Sequence, residues 1–242
     1  MTRRSGNIRK SEFIPQKEIH IIAMEGCETE YIYLDELKQY TRDNVKLVLL
    51  KNINHKTKPT DVLSKITTYF KHHEREESDK AWILIDRDAW TVKELNKVCK
   101  DAKLQDCRVL LTNPCVELWF HYHLANEPIN DFFDRDDCQG KLCAIFPGYT
   151  KAKYNVKLIL DKTLSKVAKA VRIAKSTDLP GSSVQPWPQR QTTRVYLLIQ
   201  EVLQLPEDVR EVKNRTQKER GKLAALERGR KALEQAGNES IV

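Results

Sequence analysis

Asp86 and Asp88 stand on either side of Arg87, directly after the apolar run Ala81 to Ile85 (AWILI). An extended or turning backbone sends both carboxylates to one side and the arginine to the other. Two carboxylates held so close repel each other, and a hard cation such as Mg2+ or Mn2+ relieves the repulsion because it takes oxygen ligands. Two further acids occupy comparable places. Glu25 closes the run Ile19 to Met24 (IHIIAM), and Glu117 follows Arg108 to Thr112 (RVLLT) and the turn Asn113-Pro114. A metal in such a set can orient a phosphodiester, stabilise its developing charge and lower the pKa of an attacking water. Glu25, Asp86, Asp88 and Glu117 are therefore the candidate metal ligands and catalytic residues.

Acids so far apart in the chain converge only if the elements beneath them line up. The runs at 19–24, 45–50, 81–85 and 108–112 are short, apolar and rich in β-branched residues, as buried strands are. Helical spacing separates them. Thr29 is placed to cap a helix carrying Tyr31, Leu34, Leu37 and Tyr40, and Pro59 suits the first turn of one carrying Val62, Ile66 and Phe70. Thr91 to Leu104 and Cys115 to Leu124 continue the period. Strands apolar on both faces, alternating with helices, predict an α/β fold with a mostly parallel sheet covered on both sides and right-handed crossovers. Ligands bind such sheets beyond the carboxyl ends of the strands, where the acids fall.

The chain divides into a basic arm (1–17), this core (18–128), a helical completion (129–205) and a charged tail (206–242) expected to be helical. Within the completion, the acidic and aromatic stretch from Asp131 reads as irregular and Pro147-Gly148 as a turn. Helical periodicity then runs to about Ala174. Ser176 to Gln191, with three prolines, reads as a loop, and Thr192 to Leu203 as a threonine-capped amphipathic helix.

With 42 Lys and Arg against 34 Asp and Glu, the chain carries a formal charge of +8, which permits a polyanionic partner without requiring one. No apolar run approaches the roughly 20 residues that span a bilayer, and no apolar signal core follows the basic start. The expectation is a cytosolic protein without membrane contact. The six cysteines include no CxxC pair and read as reduced thiols. Cys107, Cys115, His121 and His123 lack the spacing of a zinc finger, ribbon or knuckle. There is no Gly-rich phosphate loop.

Ordinary structural readings stand beside these. Glu28 and Glu30 suit an acidic first helical turn, a lone DxD suits a turn, and Trp119, Phe120 and Tyr122 suit a core. His55, Lys56 and Lys58 are candidates for backbone contacts with nucleic acid or form a solvated loop.

The segments EGCETEYIYL, IDRD and NPCVELWFHYH stand in the order and spacing of the RloB-like proteins, a bacterial branch of the Toprim superfamily, which this chain resembles from Ile19 to Leu203. GYTK (Gly148 to Lys151) and Thr192 to Leu203 are similar to that family's carboxyl-terminal part. The resemblance implies a Toprim-like fold in which Glu25 does acid/base or metal-binding work and Asp86 and Asp88 bind divalent metal, Mg2+ or Mn2+. Glu117 resembles the additional acid of the overcoming-lysogenization-defect nucleases. Lys151 is a candidate for neutralising a phosphate or leaving oxygen. The implied activity is metal-dependent cleavage of DNA or RNA, as the effector of an anti-phage system working with a separate AAA- or ABC-type ATPase. The alternative is a Toprim module that binds nucleic acid or protein and spends its acids on structural metal or salt bridges. A nucleotidyl transferase or primase would need a triphosphate pocket that the sequence does not reveal. A topoisomerase would need a tyrosine-bearing domain for which the chain has no room.

Overall fold

The computed structural model describes residues 17–26, 28–52, 57–87, 90–126, 128, 134–147, 149, 164–178, 186–188 and 190–205. The four apolar runs form the strands β1 (Glu18–Met24), β2 (Val45–Leu50), β3 (Lys80–Asp86) and β4 (Cys107–Asn113). They lie parallel, with Ala23 opposite Leu50, Met24 opposite Leu84 and Asp86 opposite Thr112. A two-residue strand, β5 (Thr192–Thr193), runs antiparallel on β4, so the sheet order is β2-β1-β3-β4-β5.

Alternation along each strand sorts its side chains to two cores. Ile21, Ala23, Ile83 and Ile85 pack beneath α2 (Pro59–His72) and α3 (Val92–Leu104), through Val62, Ile66, Leu95 and Val98. Ile22, Met24, Trp82 and Leu84 face the other way. They meet α1 (Thr29–Leu37), α4 (Glu117–Leu124), α5 (Arg135–Ile145), α6 (Val167–Thr177) and α7 (Val195–Val202). That second core joins Leu118, on one side of position 128, to Leu142, Val171 and Leu198 on the other. With its mostly parallel sheet between two helical layers, the fold is consistent with the Toprim-like arrangement.

Three local expectations are corrected. Thr29 lies inside α1 and makes no cap; Glu30 instead turns back to accept the Gly26 N–H at 3.2 Å. The buried face of α1 is accordingly Tyr33, Leu34 and Leu37, with Tyr31 half-buried and Tyr40 exposed. The acidic stretch read as irregular contains α5, because the Asp134 carboxylate accepts the Asp137 N–H at 3.0 Å and Cys138 and Leu142 share a buried face. Thr192 does not start α7, whose N-cap is Arg194, although the Thr193 hydroxyl accepts the N–H of its first residue, Val195, at 3.3 Å. Both threonines are buried in β5, where the Thr193 hydroxyl pairs with that of Thr112 at 2.8 Å and the Thr192 hydroxyl with that of Thr177 at 2.7 Å.

The loop containing His55 and Lys56, the arm before residue 17 and the tail from 206 lie outside the described residues, as do Asp88 and Lys151. No helix among the described residues is long and apolar enough to cross a membrane.

Candidate metal-binding active site

The first acid is placed by the sheet itself. The Glu25 N–H donates to Leu84 O at 3.1 Å, which extends the β1–β3 ladder one residue past β1. Its carbonyl accepts Asn52 Nδ2 at 2.8 Å from the segment after β2. Its carboxylate Oε2 accepts the Asp86 N–H and the Trp90 Nε1–H, each at 3.2 Å. Glu25 is thus held from three neighbouring segments.

After Asp86 the chain bends off the sheet, its Arg87 N–H shared between Thr112 O at 2.8 Å and Pro114 O at 3.0 Å. The Arg87 guanidinium donates to Trp90 O at 2.7 Å. Asp86 is 8% exposed, and its Oδ2 meets Arg135 Nη2 at 3.3 Å. Arg135 opens α5, so the segment after the parallel core closes one wall of the site.

Between these groups lies a cavity of about 250 Å³ at the carboxyl ends of β1 and β3. Glu25, Glu28, Glu30 and Asp86 line it with Asn52, Thr57 and Arg135. Among the described residues, four carboxylates and one guanidinium line it, and two of the acids are nearly buried. Hard oxygen donors in this proportion fit a divalent cation of the Mg2+ or Mn2+ kind. Glu25 and Asp86 are the residues that would hold it, with Glu28 and Glu30 at hand.

The remaining acid is placed differently. Glu117 begins α4 but is fully buried and is not among the residues that line the cavity, whereas its neighbour Val116 is. Its charge nevertheless reaches the site's surroundings. Burial pushes the Tyr149 hydroxyl well above its ordinary pKa, and Glu117, Cys115 and Glu30 add to the shift. The Cys115 thiol is also pushed up, by its bond to Cys138 first, then by burial and by the charges of Cys138, Glu117 and Asp86. The structure brings Glu25 and Asp86 together at the cavity, leaves Glu117 out of its lining, and adds contacts from Asn52, Trp90 and Arg135, which sequence reasoning did not single out. That reasoning also read Glu30 as dipole decoration. The available signal for Glu30 was its position four residues after Gly26, one helical turn from a residue with no side chain.

Among the described residues, a different group brings three ligand atoms within 4.8 Å: Glu18, His20 and Glu201, at the opposite end of the sheet. It could hold a metal ion, but Lys80 now supplies its positive charge, 2.5 Å from Glu18 and 2.8 Å from Glu201. Arg108 also pairs with Glu201. The Trp82 Nε1–H donates to His20 Nδ1 at 3.1 Å, which leaves His20 Nε2–H to donate to Glu18 at 2.8 Å. Both ring nitrogens of His20 are thus hydrogen-bonded, and burial lowers its pKa against the pull of Glu18. Cys107 and Cys115 lie at opposite ends of β4, some 20 Å of strand apart, so they form no site together. His121 and His123 are buried in α4, and burial lowers each to about 4.

A family model described as RloB-like protein matches residues 20–202, a span that contains Glu25, Asp86, Asp88, Glu117 and Lys151. No curated protein and no solved structure matches the chain.

Proposed function

The chain belongs to the RloB-like protein family, and from that premise we propose that it is a Mg2+- or Mn2+-dependent nuclease that hydrolyses phosphodiester bonds of DNA or RNA. The observation that carries this reading is the joining of Glu25 to Asp86 across the ends of β1 and β3, on the wall of a cavity with four carboxylates. When bound there, a divalent ion would supply charge neutralisation at the phosphate and acidify an attacking water.

The chain's own residues prepare that site. Trp90 and the Asp86 N–H fix the Glu25 carboxylate by its Oε2, orienting the group that would hold metal or accept a proton from water. Asn52 holds the Glu25 backbone, and Arg135 holds Asp86 until substrate or metal competes for it. Asp88 completes the DxD pair, and Glu117, buried at the start of α4, biases the site toward cations. Lys151 is proposed to neutralise a phosphate or leaving oxygen. The cellular setting we propose is bacterial anti-phage defence in the cytoplasm, with a separate AAA- or ABC-type ATPase acting as sensor or regulator.

The Asp86–Arg135 ion pair is also what a non-catalytic module would contain, so the two readings must be separated by activity. Purified protein is incubated with single-stranded and duplex DNA, tRNA and bulk RNA in Mg2+ or Mn2+, with and without the candidate ATPase. Cutting that Glu25→Ala and Asp86→Ala both abolish is the expected result. Nucleic-acid binding without cutting, under every condition, would favour the binding module.

A further inference from the structure

A second groove, of about 700 Å³, runs along the sheet edge between the end of β2 and α2. Helix α2 is divided lengthwise. Val62, Leu63 and Ile66 enter the core, whereas Asp61, Ser64, Lys65, Thr68, Tyr69 and His72 recur at helical spacing along the groove. Asn52 lines both this groove and the acidic cavity, so the two spaces adjoin.

The charged groups are placed with respect to that junction. Lys65 Nζ donates to Met24 O at 3.3 Å, the residue immediately before Glu25. An ammonium has three donors, and this bond leaves the others to a ligand. Lys51, next to Asn52, turns across the sheet edge toward α1, with its Nζ 5.1 Å from the centre of the Tyr31 ring. Among the described residues, Asp61 is the single carboxylate lining the groove. Tyr69 is held in place by a stack on His73 with ring centres 4.1 Å apart.

We propose that this groove binds the backbone of a single nucleic-acid strand, next to the phosphate that enters the acidic cavity, with Lys51 and Lys65 on flanking phosphates and Tyr69 against a base. This inference rests on the nuclease reading. An acidic cavity repels a polyanion, so a substrate needs cations beside it, and Lys51 precedes Asn52, the wall the two spaces share, while Lys65 bonds to the strand end before Glu25. Phosphate neutralisation combined with an aromatic surface is the usual basis of sequence-tolerant single-strand binding. Because β2 is an edge strand, an extended peptide could also add to it. The lysines and the continuity with the acidic cavity favour the nucleic acid.

The test measures anisotropy of fluorescein-labelled oligo(dT) and oligo(U), each about 12 nucleotides long, with the full chain in Ca2+ across a range of NaCl. The proteins are wild type, Lys51→Gln/Lys65→Gln, Ser64→Lys in the groove, and Lys46→Gln at the other end of β2. Losing two phosphate contacts should flatten the slope of log Kd against log salt by about 1.4. The added lysine of Ser64→Lys should steepen it by about 0.7, a gain that misfolding cannot mimic. Lys46→Gln should match wild type, and in cleavage assays the double variant should raise KM more than it lowers kcat.

Wild-type binding or cutting with unchanged slopes in both groove variants would overturn the groove while leaving the nuclease standing. Binding of an extended peptide in the groove that leaves nucleic-acid affinity unchanged would assign the edge to a protein partner. If wild type neither binds nor cuts any nucleic acid, the nuclease reading fails and takes this inference with it.

Discussion

Gly26 and Glu30 form a pair whose coupling can be worked out from the structure. A Cβ at Gly26 would lie 1.9 Å from Glu30 Oε2 and 2.4 Å from both Cδ and Oε1. The backbone at Gly26 is outside the left-handed region, so alanine there suffers collision with Glu30 and not conformational strain. The Glu30 carboxylate must swing away, giving up its 3.2 Å bond from the Gly26 N–H. A hydrogen bond to a charged acceptor contributes about 1.5–3 kcal/mol. For a domain of this size, a loss of about 2 kcal/mol lowers Tm by roughly 4–8 °C. Glu30→Ala removes the obstacle, so adding Gly26→Ala to it should cost almost nothing more. Thermal and urea denaturation of wild type, both single variants and the double variant closes the cycle, with an expected coupling of about 2 kcal/mol. If Gly26→Ala destabilises both backgrounds equally, the packing of Glu30 against Gly26 is not what demands glycine there.

Burial holds His123 at a pKa of about 4, against 6.5 as its ordinary value. The unfolded chain therefore takes up the proton first, so this contribution to stability is complete above about pH 6.5 and is lost as pH falls toward about 4. The loss amounts to about 3 kcal/mol, and His123→Gln should flatten the urea midpoint across that window; an unchanged pH dependence would contradict the assignment. Trp90→Phe deletes the indole donor to Glu25 Oε2 and should lower the cleavage rate about tenfold with little change in Tm. A wild-type rate in that variant would show that Trp90 does not orient the carboxylate. Zn2+ entering the Glu18–His20–Glu201 group must displace Lys80 and the His20 Nε2 proton, so its binding by calorimetry should strengthen with pH and tighten in Lys80→Met. Binding indifferent to both would place that metal elsewhere.

How much of this was legible in the sequence depends on the range of the interaction involved. Strands β1 to β4 were readable because burial on both faces demands unbroken apolar runs, and the sheet then had to bring Glu25 and Asp86 to one edge. The two-residue β5 carries no such run. It exists because Thr112, Thr177, Thr192 and Thr193 satisfy one another's hydroxyls, a long-range arrangement that looks locally like a helix cap. Glu117 was correctly placed at the start of α4, but the sequence could not say that it would be fully buried while its neighbour Val116 lined the cavity. Arg135 was invisible as a partner of Asp86 because 49 positions separate them. The same holds for the Lys80–Glu201 pair, 121 positions apart.

The central claim is that the cavity at the ends of β1 and β3 is a divalent-metal centre, and Mn2+ titration followed by electron paramagnetic resonance tests it most directly. Wild type is compared with Glu25→Gln, Asp86→Asn and, as a control at the far end of the sheet, Glu201→Gln. The account predicts saturable Mn2+ binding that Glu25→Gln and Asp86→Asn each weaken at least about tenfold, with Glu201→Gln unchanged. Binding that survives the first two substitutions and disappears with the third would place the metal at the Glu18–His20–Glu201 group and contradict the account.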